Sequence, residues 1–314
     1  MKLKKPKFWD LKEPNIYAHL LRPLSKITEL SYLIRNKSKK KYLNIKTICV
    51  GNIYIGGTGK TSLAIKINDI LKKNNIRCCF IKKLYANQID EVNLLKKHGE
   101  VFSDINRINC LENAIKENYE FAIFDDGLQD SSVDYDLKIL CFNNINWIGN
   151  GLVLPAGPLR ENLINLKKYN YIFLNGNLEN VDKISEEIYK INSKSKIFCG
   201  TYLPKNIDQF NLMNKYLVFS GIGNHGTFVS MLKKNNFKIL KDIEFPDHYN
   251  YKKKELDKII LESRNLNCSI LTTEKDFLRI NNPNLKEINF IKSELSIWDE
   301  EKFTNDILNL NENY

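Results

Sequence analysis

No run of about 18 apolar residues occurs in the 314-residue chain, so an uninterrupted transmembrane helix is excluded. None of the seven cysteines (49, 78, 79, 110, 141, 199 and 268) forms a Cys-x-x-Cys pair, and several fall inside apolar runs. They read as small buried hydrophobes of a reduced, cytosol-facing compartment, not as disulfides or a zinc site. Internal repeats are absent, and the only biased tract is a Lys-rich N-terminal arm. The opening Met1-Lys2-Leu3-Lys4-Lys5-Pro6 leads into no apolar core of the kind a cleaved secretory signal needs. What is present is ordinary globular material, 43% hydrophobic and 27% charged, which excludes a disordered or fibrous chain. The length suits two domains, or one large α/β unit with an annex.

The net charge of +11 is unevenly spread. Residues 1–46 hold 13 Lys/Arg against Asp10, Glu13 and Glu29, whereas the remainder holds 35 basic and 34 acidic residues. Codon bias accounts for 41 Lys against 7 Arg, but not for an excess gathered at one end. A uniformly basic nucleic-acid binder would look different, and no nucleic-acid reading module is recognisable. A basic arm suits an anionic membrane surface, where each Lys or Arg gains about 1 kcal/mol. Within it, Ile16, Leu20, Leu24, Ile27 and Ile34 recur near helical spacing with Arg22, Lys26 and Arg35 interspersed, and Phe8-Trp9 precedes them. This pattern predicts an amphipathic helix lying in a membrane interface or packing on the domain behind it, bent or restarted at Pro23.

From residue 45 short apolar runs alternate with helical stretches. Strands are expected at Ile45–Val50, Cys78–Ile81, Phe121–Phe124, Leu137–Phe142, Tyr171–Leu174 and Ile197–Tyr202. Helices are expected at Lys60–Asn74, Cys110–Asn118, Glu161–Lys168 and Val181–Ile191. Such alternation argues for a parallel sheet covered by helices on both faces. A second, smaller set follows the polar stretch Pro204–Asn214: Tyr216–Ser220, His225–Lys233, Phe237–Ile243, Lys252–Ser263, Ser269–Thr273 and Ile288–Ile291. The expected organisation is therefore an arm at 1–44, a P-loop NTPase-like α/β domain at 45–205 and a smaller α/β domain at 206–314.

The strongest chemical signal is Gly51-Asn52-Ile53-Tyr54-Ile55-Gly56-Gly57-Thr58-Gly59-Lys60-Thr61, placed after a strand and opening a helix. Its glycines let backbone N–H groups converge on phosphate oxygens at a helix N-terminus. In such a loop Lys60 reaches the β/γ-phosphates of a nucleotide and Thr61 takes Mg²⁺. The strict pattern wants Gly where Tyr54 stands, so the loop is a variant. Phe121-Ala122-Ile123-Phe124-Asp125-Asp126-Gly127 ends a strand in paired acids, placed to hold Mg²⁺ and to position a ligand. Gly149–Glu161 carries three glycines and two prolines in thirteen residues, a shaped loop ending in Arg160 for phosphate and Glu161 for a metal shell. Phe245-Pro246-Asp247-His248-Tyr249 and Leu271-Thr272-Thr273-Glu274-Lys275-Asp276 are the polar landmarks of the C-terminal part.

Taken together, these words resemble the tetraacyldisaccharide 4'-kinase family, the lipid A 4'-kinases. The resemblance runs through Gly51-Asn52 with Gly56–Thr61, Asp125-Asp126-Gly127-Leu128-Gln129, Gly149–Glu161, Ser220-Gly221-Ile222-Gly223-Asn224, Phe245–His248 and Thr272–Asp276, in the family's order over most of the chain. It implies transfer of the ATP γ-phosphate to the 4'-hydroxyl of a lipid A disaccharide 1-phosphate precursor. The setting would be the cytoplasmic face of the inner membrane, in lipid A biosynthesis, by a peripheral or monotopic monomer with two α/β domains closing on an active-site cleft. Carried over by motif, Gly56, Gly57, Thr58, Gly59, Lys60 and Thr61 cradle ATP. Thr61, Asp125, Asp126 and Glu161 surround Mg²⁺, while Asp126, Gln129 and Arg160 face substrate. The family's base is an Asp in a Gly-Asp-Glu-Pro-like word, matched here by Ile89-Asp90-Glu91-Val92, and it pairs with His248. The chain departs from the family at Lys82-Lys83-Leu84-Tyr85-Ala86, where Ser-Arg-Gly-Tyr-Gly is usual, at Asp130 in place of a His, and at Tyr249 where a second His is common.

Partitioning ATPases and metallochaperone GTPases also join variant P-loops to amphipathic helices. The former carry a signature Lys where Ile55 stands. The latter need an Asn/Thr-Lys-x-Asp word, and Thr273-Glu274-Lys275-Asp276 has its Lys one place late. A non-catalytic scaffold would have no chemical need for Lys60, Thr61, Asp125, Asp126 and Glu161.

Overall fold

A computed structural model describes residues 5–34, 40–85, 89–130, 132–280 and 285–310. The chain divides into two compact units, Met1–Gly200 with Ile297–Tyr314, and Thr201–Ser296. In chain order the elements are α1 (Ile16–Ile34), β1 (Lys46–Gly51), α2 (Lys60–Lys73), β2 (Cys78–Lys83), α3 (Ile89–Lys96), β3 (Val101–Asp104), α4 (Arg107–Lys116), β4 (Phe121–Asp125), β5 (Leu137–Asn143), β6 (Tyr171–Asn175), α5 (Val181–Ile191) and β7 (Lys196–Pro204). They continue as β8 (Lys215–Ser220), α6 (His225–Lys234), β9 (Lys238–Glu244), α7 (Lys253–Asn265), β10 (Ser269–Thr273), α8 (Glu274–Phe277), β11 (Ile288–Ile291), β12 (Ser293–Ile297) and α9 (Glu300–Leu308).

The large sheet runs β12-β7-β6-β5-β1-β4-β2-β3. From β3 to β7 every neighbouring pair is parallel. Its strands read as near-continuous apolar runs because both faces are covered. Ile172 and Leu174 pack with Ile184 and Ile188 of α5, whereas the intervening Phe173 points the other way, against Phe303 of α9. Cys49, Cys79, Ile81, Ala122 and Phe124 meet Cys110, Leu111 and Ala114 of α4. The chain leaves β1 toward β4, β2 and β3, then crosses back to β5, so β1 sits where the strand order reverses. In open α/β sheets that switch point, at the carboxyl ends of the strands, is where ligands bind.

The smaller unit is a four-stranded parallel sheet in the order β11-β10-β8-β9. Along β8, Tyr216 and Val218 pack with Phe228, Met231 and Leu232 of α6. Leu217 and Phe219 pack with Leu256, Ile259 and Ile260 of α7. The period of two in β8 thus sends alternate residues to helices on opposite faces.

Three expectations need correction. The C-terminal segment does not all belong with the smaller unit: from Ile297 it returns to the large one, where the fully buried Phe303 lies against Phe173 and Phe198. Burial of a Phe side chain is worth about 1.5–3 kcal/mol, enough to hold the short α9 in place. Second, α1 runs unbroken through Pro23. Pro23 is exposed, so the carbonyl it leaves without an N–H partner can be hydrated. Third, Glu161–Lys168 is not an α-helix but a 3-10 turn over Leu163–Lys168, capped by the Asn162 side chain on the Ile164 N–H.

Helix α1 has two faces. Ala18 and Ser25 are buried, and the Ser25 hydroxyl donates to the Val153 carbonyl at 2.7 Å. The other face leaves Ile16, Tyr17, Leu20, Leu24, Ile27 and Leu30 between 49% and 70% exposed. The aliphatic stripe therefore points outward, and small residues do the packing. Trp9, by contrast, is docked: its indole N–H donates to the Pro155 carbonyl, and its own carbonyl accepts from Asn150 N–H.

Candidate active site

The loop after β1 is held in shape from three sides. Gly59 caps α2 with φ +75°, a left-handed conformation that a side chain would strain, and Lys60 opens the helix. The buried Asn52 amide donates to the Tyr54 carbonyl at 2.6 Å and to the Thr58 hydroxyl at 2.9 Å. From the end of β6 the Asn175 amide donates to the Thr58 carbonyl at 2.6 Å. The loop's variant residue, Tyr54, turns into the core, where its hydroxyl donates to Asp10. It therefore does not occupy the phosphate side of the loop. Two backbone hydrogen bonds, Arg160 N–H to the Ile53 carbonyl and Ile55 N–H to the Pro158 carbonyl, tie Gly149–Glu161 along it.

At the end of β4, Asp125 is fully buried. Its Oδ2 accepts from the Thr61 hydroxyl at 3.0 Å and from the Lys82 ammonium at 2.7 Å. Oδ1 is buried and accepts no hydrogen bond among the described residues. An orphaned carboxylate oxygen beside a P-loop hydroxyl is chemically suited to a hard divalent cation. Among the described residues no three His, Cys, Asp or Glu side chains form a metal cage.

Asp126 adopts φ +64° and faces two cations, Lys60 Nζ at 3.8 Å and Arg160 Nη1 at 3.2 Å. Burial pushes its carboxyl up, but Lys60, Arg160, Lys82 and Arg107 outweigh that and hold it below the ordinary carboxylate range. Arg160 also donates to Gln129 Oε1 at 2.8 Å, and the Gln129 amide donates to the Asn52 carbonyl. Lys60, Thr61, Asp125, Asp126, Gln129 and Arg160 thus form one connected polar cluster at the switch point, as the motif spacing anticipates.

Glu161 departs from expectation. Buried, it accepts from the Tyr169 hydroxyl and the Asn165 amide, both at 2.9 Å. These bonds engage both its oxygens in holding the following turn, and it is not part of a carboxylate cage with Asp125 and Asp126. Asp130 is accounted for as well. It takes Arg107 Nη1 at 3.1 Å and Ser132, while Arg107 Nη2 donates to the Asp126 carbonyl. A buried guanidinium needs such an anion, so Asp130 serves the loop that bears Asp126.

Asp90 lies in the first turn of α3, half-buried, in the first unit. His248 lies in the second unit, at φ +55°, with its N–H on the Gly221 carbonyl. Its Nδ1 is 3.1 Å from Arg279 Nη2. Because a guanidinium only donates, Nδ1 is the acceptor, and the ring's proton belongs on Nε2. Arg279 also donates to the Gly221 carbonyl and to the fully buried Asp276, which in turn accepts from Tyr251 and Thr273. The words Ser220–Asn224 and Thr272–Asp276 therefore build the seat of His248. Sequence reasoning missed Arg279 and Asn175 as parts of the site, and it gave Asn52 no role although Asn52 stands within the glycine-rich word. A lone Arg or Asn carries no local signal of which carbonyl it will meet.

Comparison with known proteins follows the same lines. The model of the family described as tetraacyldisaccharide-1-P 4'-kinase matches residues 17–98 and 83–312. A Pelagibacter ubique protein named tetraacyldisaccharide 4'-kinase is 59% identical over 312 residues, covering 99% of both chains. A Rickettsia typhi protein of the same name is 34% identical over 317 residues, covering 95% of both. Among solved structures, the "apo" form of LpxK from Aquifex aeolicus in complex with ATP superposes with a TM-score of 0.67 at 23% identity, covering 94% of this chain and 99% of that one. That likeness bears on the fold.

Proposed function

The chain belongs to the tetraacyldisaccharide 4'-kinase family, and from that premise we propose how its residues move the γ-phosphate of ATP onto the 4'-hydroxyl of a lipid A disaccharide 1-phosphate. The observation that carries the reading is the connected cluster of Lys60, Thr61, Asp125, Asp126 and Arg160 at the sheet's switch point. Phosphoryl transfer asks little covalent chemistry of a protein, and positioning with charge compensation supplies most of the catalysis.

In this reading the N–H groups of Gly56–Thr61 cradle the phosphates at the start of α2. Lys60 and Arg160, now paired with Asp126, are the cations placed to meet charge developing on the transferred group. Thr61 and Asp125, with its bare Oδ1, would hold Mg²⁺, with Asp126 beside them. Bound there, such an ion would supply charge neutralisation at the nucleotide's phosphates. Gln129 orients Arg160. Asp90 accepts the proton of the acceptor hydroxyl, and His248, whose ring proton sits on Nε2, is the second acid–base group assigned to that step.

Among the described residues no helix is long and apolar enough to cross a membrane. The outward stripe of α1, flanked by Arg22 and Lys26, supports peripheral binding to an anionic surface at the cytoplasmic face of the inner membrane. The protein acts as a monomer in this reading. The direct test mixes purified protein, Mg-ATP and the lipid A disaccharide 1-phosphate and looks for a lipid heavier by one phosphate. Persistent failure to form it, with nucleotide bound, would exclude this acceptor.

A further inference from the structure

Lys82 stands at the end of β2, in register with Asp125 on the neighbouring parallel strand. Register partners on adjacent parallel strands share a face of the sheet, so the two side chains emerge side by side. The Lys82 ammonium is only 3% exposed and makes two ion pairs of 2.7 Å, one to Asp125 Oδ2 and one to Glu91 Oε2 in the first turn of α3. A buried ammonium is stable only when paired in this way.

Two consequences follow from this geometry. An aspartate's terminal torsion is broad and nearly two-fold, so nothing intrinsic decides which oxygen of Asp125 faces which neighbour. Lys82 and Thr61 both donate to Oδ2 and so leave Oδ1 as the open oxygen. The second consequence concerns α3, only eight residues long, with Val92 and Leu95 as its buried apolar anchors. The ion pair at Glu91 fixes the turn that carries Asp90, the preceding residue.

We propose that Lys82 is a positioning residue for phosphoryl transfer, a strut that sets Asp125 and, through Glu91, the Asp90-bearing turn of α3 in one arrangement. The proposal rests on the reading of Asp125 and Asp90 given above. Lys82 touches neither substrate nor reacting atoms in it.

The experiment compares Lys82→Met, Glu91→Gln and the double variant with the full-length parent. Replacing both partners removes the imbalance of two facing carboxylates that could unfold the single lysine variant, and thermal unfolding monitors each protein. Hydrogen exchange of residues 89–96 should accelerate at least about tenfold in Lys82→Met and in the double variant, with β4 unchanged. Turnover should fall at least about tenfold with the KM for ATP within about threefold, and the double variant should be no slower than the slower single one. A merely structural lysine would change the melting temperature without that split between kcat and KM. Unchanged exchange in α3, turnover within about threefold of the parent, or losses that multiply would overturn the strut. If the parent fails to phosphorylate the lipid while exchange in α3 still responds, the proposed function fails and the tie between Lys82 and α3 stands.

Discussion

Lys60 is the side chain on which the proposed chemistry leans most. It opens α2, its side chain is 15% exposed, and its ammonium rests 3.8 Å from Asp126. Lys60→Ala should cut turnover by at least ~10²-fold, the scale of losing one preorganised charge partner at a developing anion. Steady-state kinetics with saturating lipid reads this, and turnover within threefold of the parent would remove Lys60 from the catalytic set. At this scale the glycine-rich and acid-rich words foretell which side chains lie together, since Lys60, Thr61, Asp125, Asp126 and Arg160 share one polar cluster. The words do not foretell the partners of Glu161, whose oxygens bond to Tyr169 and Asn165. The sequence was silent on Arg279 and Asn175, whose partners come from distant segments. Such pairings depend on tertiary placement, which leaves no local imprint. The thiols follow a simpler rule. Cys49, Cys78, Cys79, Cys110 and Cys141 are buried, and burial pushes the Cys78 and Cys110 thiols up to about 11, the behaviour of small hydrophobes.

Among the elements, α1 makes the sharpest claim. Its small face bonds to the large unit through Ser25, whereas Ile16, Leu20, Leu24, Ile27 and Leu30 face outward. The protein should bind vesicles containing anionic lipid, and the charge-dependent part should weaken in high salt as screening sets in over a Debye length of ~8 Å. Apolar burial of the stripe should leave a salt-resistant remainder. Replacing Leu20 and Leu24 by Ser should remove that remainder in flotation assays. Unchanged flotation in high salt would show that the stripe does not enter the bilayer. Trp9 is absent from this claim because its indole is spent on Pro155. Elements with strong periodicity or long apolar runs, such as β1, β4, β5, α2 and α5, were readable in the sequence. The weaker ones were not. β3 and α3 lie in a polar stretch with few inward residues, chiefly Val101, Val92 and Leu95. β12 and α9 are not singled out in the sequence reading, which takes 206–314 as one domain, whereas Phe303 and Ile307 of α9 bury in the first unit.

For the molecule as a whole, the proposed catalytic residues are spread over both units. The first holds the nucleotide loop and Asp90, and the second holds His248 on its Arg279–Asp276 seat. If Asp90 and His248 serve the acceptor hydroxyl together, Asp90→Ala and His248→Ala should each slow turnover strongly, and the double variant should be little worse than the worse single one. ATP affinity should hold, since neither residue belongs to the phosphate cradle. Strictly multiplicative losses would assign them independent roles. The central claim is simpler than this pairing: the polar cluster around Lys60 drives phosphoryl transfer to a lipid disaccharide. The most direct measurement is mass spectrometry of lipid A disaccharide 1-phosphate incubated with Mg-ATP and either the parent protein or Lys60→Ala. The account predicts a product heavier by one phosphate, carried on the 4'-oxygen, with the parent and almost none with the variant. An unmodified lipid alongside steady ATP hydrolysis, or equal product from both proteins, would contradict it.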